Sequence, residues 1–139
     1  MKSLKTLIKI HQHELDELRR IMVTLEGERN KLEAAVARLQ QELLEEAEKA
    51  QKSPELARYY GDFARRIRQR QQQLREESRK IQKKIEDLRE KISAAFSEVK
   101  KYEIALQNTL RREKEEQERK ETIAMSELAI GQHLRKHDS

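Results

Sequence analysis

Apolar residues recur along the first third of the chain at alternating steps of four and three. From Leu4 the series runs through Ile8, His11, Leu15, Leu18, Met22, Leu25, Arg29, Leu32, Val36, Leu39, Leu43, Glu46 and Ala50, and eleven of these fourteen positions are apolar. A repeat of 3.5 residues returns each side chain to one face of a slightly underwound helix, so the pattern predicts a coiled-coil seam that needs a partner helix. A second series follows through Leu56, Tyr60, Phe63, Ile67, Arg70, Leu74, Glu77, Ile81, Ile85, Leu88, Ile92, Ala95, Val99, Tyr102 and Leu106, broken only at Arg70 and Glu77. Two successive four-residue steps around Ile81 read as a stutter, which would locally relax the supercoil.

The only proline of the chain lies between the two series, in Ser53-Pro54-Glu55. Ser53 suits an N-cap, Pro54 the first helical position and Glu55 the positive end of the helix, so one helix stops here and another starts. The fold class predicted is all-α: an elongated two-helix antiparallel coiled-coil hairpin with a C-terminal helical extension. It forms a single coiled-coil domain over 1–139, with helix 1 over about 3–51, a turn at about 51–54 and helix 2 over about 54–135. Partners in such a hairpin have residue numbers of constant sum. Leu43 with Phe63, Leu39 with Ile67, Leu32 with Leu74, Leu25 with Ile81 and Leu18 with Leu88 all sum to 106, and Leu15 with Ile92 and Ile8 with Val99 to 107. This register sets Arg29 opposite Glu77, either as a register-fixing ion pair or as two charges reaching separately for water. It also sets His11 opposite Ala95, as a tolerated polar break. Gly27 lies off the seam and marks a soft point in helix 1.

Beyond about Leu106 helix 2 has outrun helix 1 and is unpaired. Residues 111–121 carry five basic and five acidic side chains, with Glu115 to Arg119 and Glu116 to Lys120 in the favourable i,i+4 order, so the segment supports its own helix in water. Past it, Ile123, Leu128, Ile130 and Leu134 make an apolar stripe that requires a partner.

Composition narrows the functional classes. Five aromatics, three Gly and 41% charged residues suit long helices and leave little bulk for a globular core. The absence of Cys excludes disulfides and thiolate metal sites, no apolar run approaches the ~20 residues of a membrane span, and the lysine-rich start lacks the apolar core of an export signal. No phosphate-cradling loop or nucleophile motif is present, so neither an enzyme nor a cofactor nor a small-molecule substrate is expected. His133 and His137 share a helical face but have no third ligand nearby, and no metal site is predicted.

Arg65, Arg66, Arg68, Arg70, Arg75, Arg79, Lys80, Lys83 and Lys84 stand against Glu76 and Glu77, a net +7 within 65–84. This patch reads as a solvated flank, or as a surface for an acidic protein or for nucleic acid. Nucleic acid ranks lower because stacking aromatics are missing. Three of the five aromatics, Tyr59, Tyr60 and Phe63, gather beside the turn. Two of them can cap the hairpin core, while Tyr59, off the seam, equally fits an exposed protein-binding hot spot.

The opening MKSLKTLIKIHQHELDELRR, the near-turn YYGDFARRIRQRQQQL and the closing ELAIGQHLRK, set in heptads that fill the chain, resemble the FliJ family of flagellar type III export proteins. That family is similar to the stalk proteins of virulence injectisomes and, in shape, to the rotary-ATPase gamma subunit. The resemblance implies a non-enzymatic cytoplasmic component, peripheral at the inner face of the membrane at the flagellar base. Its paired terminal helices would enter a hexameric export ATPase and promote its ring, through Leu4, Leu7, Ile8, Leu110, Ile123, Leu128 and Leu134. Its hairpin end would reach the cytoplasmic part of the export gate through Phe63, Ile67 and Tyr60, and the protein would escort export chaperones. Leu43, Leu44 and Glu46 stand where the family often places tyrosines, a departure within that gate surface.

Overall fold

The computed structural model of the chain describes residues 2–138. Two helices account for nearly all of them: α1 over Lys2–Ala50 and α2 over Pro54–Asp138, with no strand among the described residues. Only residues 51–53 separate them. The amides of Gln51 and Lys52 bond the carbonyls of Glu48 and Lys49 at 3.3 and 3.1 Å, tightening the last turn of α1 into 3₁₀ form. Ser53 then caps α2. Its hydroxyl accepts the Leu56 amide at 3.3 Å and its carbonyl the Ala57 amide at 3.1 Å, while Pro54 has no amide hydrogen to leave unpaired.

Along α1 all fourteen predicted seam positions are buried or half-buried, with Leu15 and Leu43 most enclosed. The seam of α2 differs from its expected course. It runs Tyr60, Ala64, Ile67, Gln71, Leu74, Ser78, Ile81, Ile85, Leu88, Ile92, Ala95, Val99, Tyr102 and Leu106, each buried or half-buried, in an unbroken alternation of four and three. Arg70 and Glu77 are exposed, as is Leu56, and Ala64, Gln71 and Ser78 occupy the places expected for Phe63, Arg70 and Glu77. No stutter remains. The physical reason is size: where α1 approaches closely, a methyl, an amide and a hydroxyl fit, while the long charged side chains turn outward to water.

The chain divides into two compact units, one formed by 14–94 and the other by 1–13 with 95–139. Within the first, the helices run antiparallel, as the cross-helix bonds require. The Gln71 amide, 2% exposed, donates to the Val36 carbonyl at 3.3 Å and to Gln40 Oε1 at 3.2 Å. Arg29 Nη1 donates to Gln82 Oε1 at 3.1 Å. The expected placing of Arg29 opposite Glu77 is therefore corrected, and of its two readings the ion pair falls: Arg29 reaches five residues further along α2, its own ion pair, at 4.0 Å, is with Glu33 of its helix, and Glu77 is exposed. In the second unit His11 stacks on Tyr102, with ring centroids 5.0 Å apart and planes at 18°, rather than facing Ala95. These four links join residue numbers summing to 107, 111, 111 and 113, so the register lies about one helical turn beyond the expected 106.

Gly27 is helical, and a Cβ built on it would meet nothing within 4 Å. Gly27→Ala is therefore expected to stabilise the chain by about 1 kcal/mol by reducing the freedom of the unfolded backbone. Urea denaturation followed by circular dichroism checks this, and a lowered midpoint would mean that the glycine answers a packing need.

Candidate protein-interaction surfaces

The unit formed by 14–94 carries the residues matched to a gate contact. Tyr60 and Ile67 are seam residues and half-buried. Phe63 is half-buried as well, but because Ala64 holds the seam its ring lies on the flank, stacked on Tyr59 at 6.0 Å between centroids. Tyr59 is 53% exposed and Leu56 and Leu44 are exposed too, so apolar surface gathers near the turn. Tyr59 is off the seam and exposed, as an accessible aromatic beside the turn requires. Sequence reasoning missed Leu56 as a surface residue, having assigned it to the seam.

The second unit carries every residue matched to an ATPase contact. Leu4, Leu7 and Ile8 are half-buried. Leu110, Ile123, Leu128 and Leu134 are exposed, as are Met125 and Ile130, which makes the end of α2 the most apolar unpartnered surface described. Their arrangement departs from a single stripe. At 100° per residue, Ile123, Ile130 and Leu134 fall within about 40° of one another, whereas Leu128 stands roughly 140° away. Counting on from Leu106 in strict heptads reaches Ile123, Ile130 and Leu134, so these three continue the seam phase past the charged residues 111–121, all of them exposed.

The nine basic residues of 65–84 are all exposed. Arg65 pairs with Asp62, and Arg70 bonds Gln73 Oε1 at 3.2 Å. Ion pairs along both helices join side chains three or four apart on one helix, and none of the nine basic residues of 65–84 forms an ion pair with α1. Arg75, Ser78 and Arg79 line a groove of about 340 Å³ with Glu33 and Val36.

His133 and His137 meet edge to face at 4.6 Å, and no group of three or more His, Asp or Glu side chains able to hold a metal occurs among the described residues. No described helix is long and apolar enough to cross a membrane. What the surfaces offer is contact area: an aromatic group near the turn, a basic flank on α2 and an uncovered apolar end.

Long helices paired in this way define a coiled-coil protein. The profile of the flagellar FliJ protein family matches residues 1–138, and the chain belongs to that family of coiled-coil components of flagellar export. No curated protein and no solved structure matches the chain.

Proposed function

We propose that the chain is a non-enzymatic stalk of the flagellar export apparatus that binds and promotes a hexameric export ATPase, links it to the export gate and escorts export chaperones. Its place on this reading is the cytoplasmic side of the membrane, held peripherally at the flagellar base. The observation that carries the proposal is the family match over 1–138, together with exposed apolar residues near the turn, Tyr59 among them, and along the end of α2. Phe63, with Tyr60 and Ile67, serves the gate, and Leu4, Leu7, Ile8 and the exposed end of α2 serve the ATPase. Helix is suited to this task because partners can read its side chains at fixed intervals without any chemistry by the stalk itself.

Truncation after Thr122 tests the ATPase half of the proposal. Because residues 123–137 are exposed apart from the half-buried Gly131, their loss removes little buried surface, and the melting temperature is expected to stay within a few degrees of the full chain. Affinity for the export ATPase, measured by calorimetric titration, is expected to fall at least about tenfold through loss of Ile123, Leu128 and Leu134. Undiminished binding by the shortened chain overturns the assignment of this surface.

A further inference from the structure

The corrected seam of α2 reveals an arginine row that the charge count alone does not. Positions 68, 75, 82 and 89 recur every seven residues beside the seam positions Ile67, Leu74, Ile81 and Leu88, and they hold Arg, Arg, Gln and Arg. Residues at one heptad position line one flank of a coiled coil. Gln82 is engaged by Arg29 of α1. Arg68, Arg75 and Arg89 are exposed, and among the described residues none of them forms an ion pair or a hydrogen bond. Arg75 and its neighbour Arg79 border the groove floored by Val36 and Ser78, so this flank offers a recess beside its cations.

We propose that this flank docks an acidic helix of a partner protein, whose carboxylates recur at heptad intervals and meet Arg68, Arg75 and Arg89. The inference does not depend on the stalk reading. Seven residues of helix rise ~10.5 Å, so a helix lying alongside with Glu at every seventh position presents carboxylates at the spacing of the guanidinium groups. Guanidinium favours this match because its forked donors bind a carboxylate with two parallel hydrogen bonds. Two other anions fit less well. A bilayer would need apolar anchors on the same face, yet none of the exposed large hydrophobic residues falls between Tyr59 and Phe96. Single-stranded nucleic acid would need stacking platforms, and 64–95 contain no aromatic residue. Any continuous polyanion would also meet Glu33 in the groove, whereas carboxylates spaced at heptad intervals can bracket it.

The test uses the full chain and a labelled four-heptad helical peptide with Glu at every seventh position. A scrambled peptide of the same composition, a duplex DNA and vesicles containing phosphatidylserine serve as competitors. Fluorescence anisotropy is expected to give at least about tenfold tighter binding of the periodic peptide than of the scrambled one. A similar loss is expected in an Arg68→Gln, Arg75→Gln, Arg89→Gln triple variant whose helical content is unchanged by circular dichroism. Equal binding of both peptides would reduce the flank to general charge attraction, and tighter binding of DNA or vesicles would assign it to that class instead. No binding, or full binding by the triple variant, overturns the site.

Discussion

Ile85→Ala is expected to lower the unfolding free energy by 2–5 kcal/mol, on the order of the values for buried aliphatic truncations. Ile85 is 0% exposed, the most enclosed side chain of α2, and it belongs to the uninterrupted heptad series between Ile81 and Leu88. Truncation removes the transfer free energy of three carbons and leaves a void that the paired helices cannot close without disturbing the neighbouring layers. A small coiled coil has little else to hold it together, so a loss of this size is a large share of the total. Leu128→Ala deletes a comparable volume from a side chain that is 65% exposed and should change stability by less than about 0.5 kcal/mol. Urea denaturation of both variants checks the contrast. A cost below about 1 kcal/mol for Ile85→Ala would mean that the seam of α2 is not packed against α1.

That contrast follows from a seam only partly legible in the sequence. Along α1 the seam could be read directly, because nearly every position carries a large aliphatic side chain and the three exceptions, His11, Arg29 and Glu46, keep their place in the count. The turn was legible too, since Ser53 and Pro54 each have a specific backbone role that the hydrogen bonds bear out. Along α2 the hydrophobic pattern misled. Ala64, Gln71 and Ser78 are small or polar, and Phe63, one residue earlier, attracts an assignment by size. Choosing Phe63 displaces the next positions onto Arg70 and Glu77 and forces a stutter at Ile81. A strict heptad count backwards from Leu106 passes through Ala64, Gln71 and Ser78 without a break.

Cross-helix partners were less legible, for a different reason. Any two heptad series admit several constant sums, and the choice among them is made by shape and hydrogen bonding rather than by hydropathy. Gln71 illustrates the point: one amide group satisfies both the Val36 carbonyl and Gln40 only when it sits between them, so a buried polar residue fixes an alignment that leucines alone would leave free to slide. Arg29 acts in the same direction through Gln82. The uncovered end of α2, by contrast, was legible from arithmetic, because α1 has too few residues to accompany it, although Leu128 was assigned to the wrong face.

Phe63, lying beside the seam rather than in it, can be truncated as a test of function. A Phe63 in the seam would make any truncation there both a folding and a binding variant, with the two losses hard to separate. With Ala64 in the seam at 3% exposure, the half-buried Phe63 ring instead lies on the flank against the half-exposed Tyr59, so its truncation opens no gap in the seam. Phe63→Ala, with Ile67 left intact because it packs in the seam, is therefore expected to fold normally by circular dichroism and to retain ATPase binding, whose residues belong to the other unit. An aromatic anchor at the centre of a small contact contributes on the order of 2 kcal/mol, so affinity for the cytoplasmic part of the gate should fall about thirty-fold. Secretion in a strain carrying only this variant should fall with it. Tyr59→Ala separates the ring from its support: if Tyr59 only braces Phe63, its removal should weaken gate binding less than removal of Phe63 does. A folded Phe63→Ala variant that binds the gate like the parent chain would remove Phe63 from the contact. One that loses the ATPase while keeping the gate would reverse the assignment of the two surfaces.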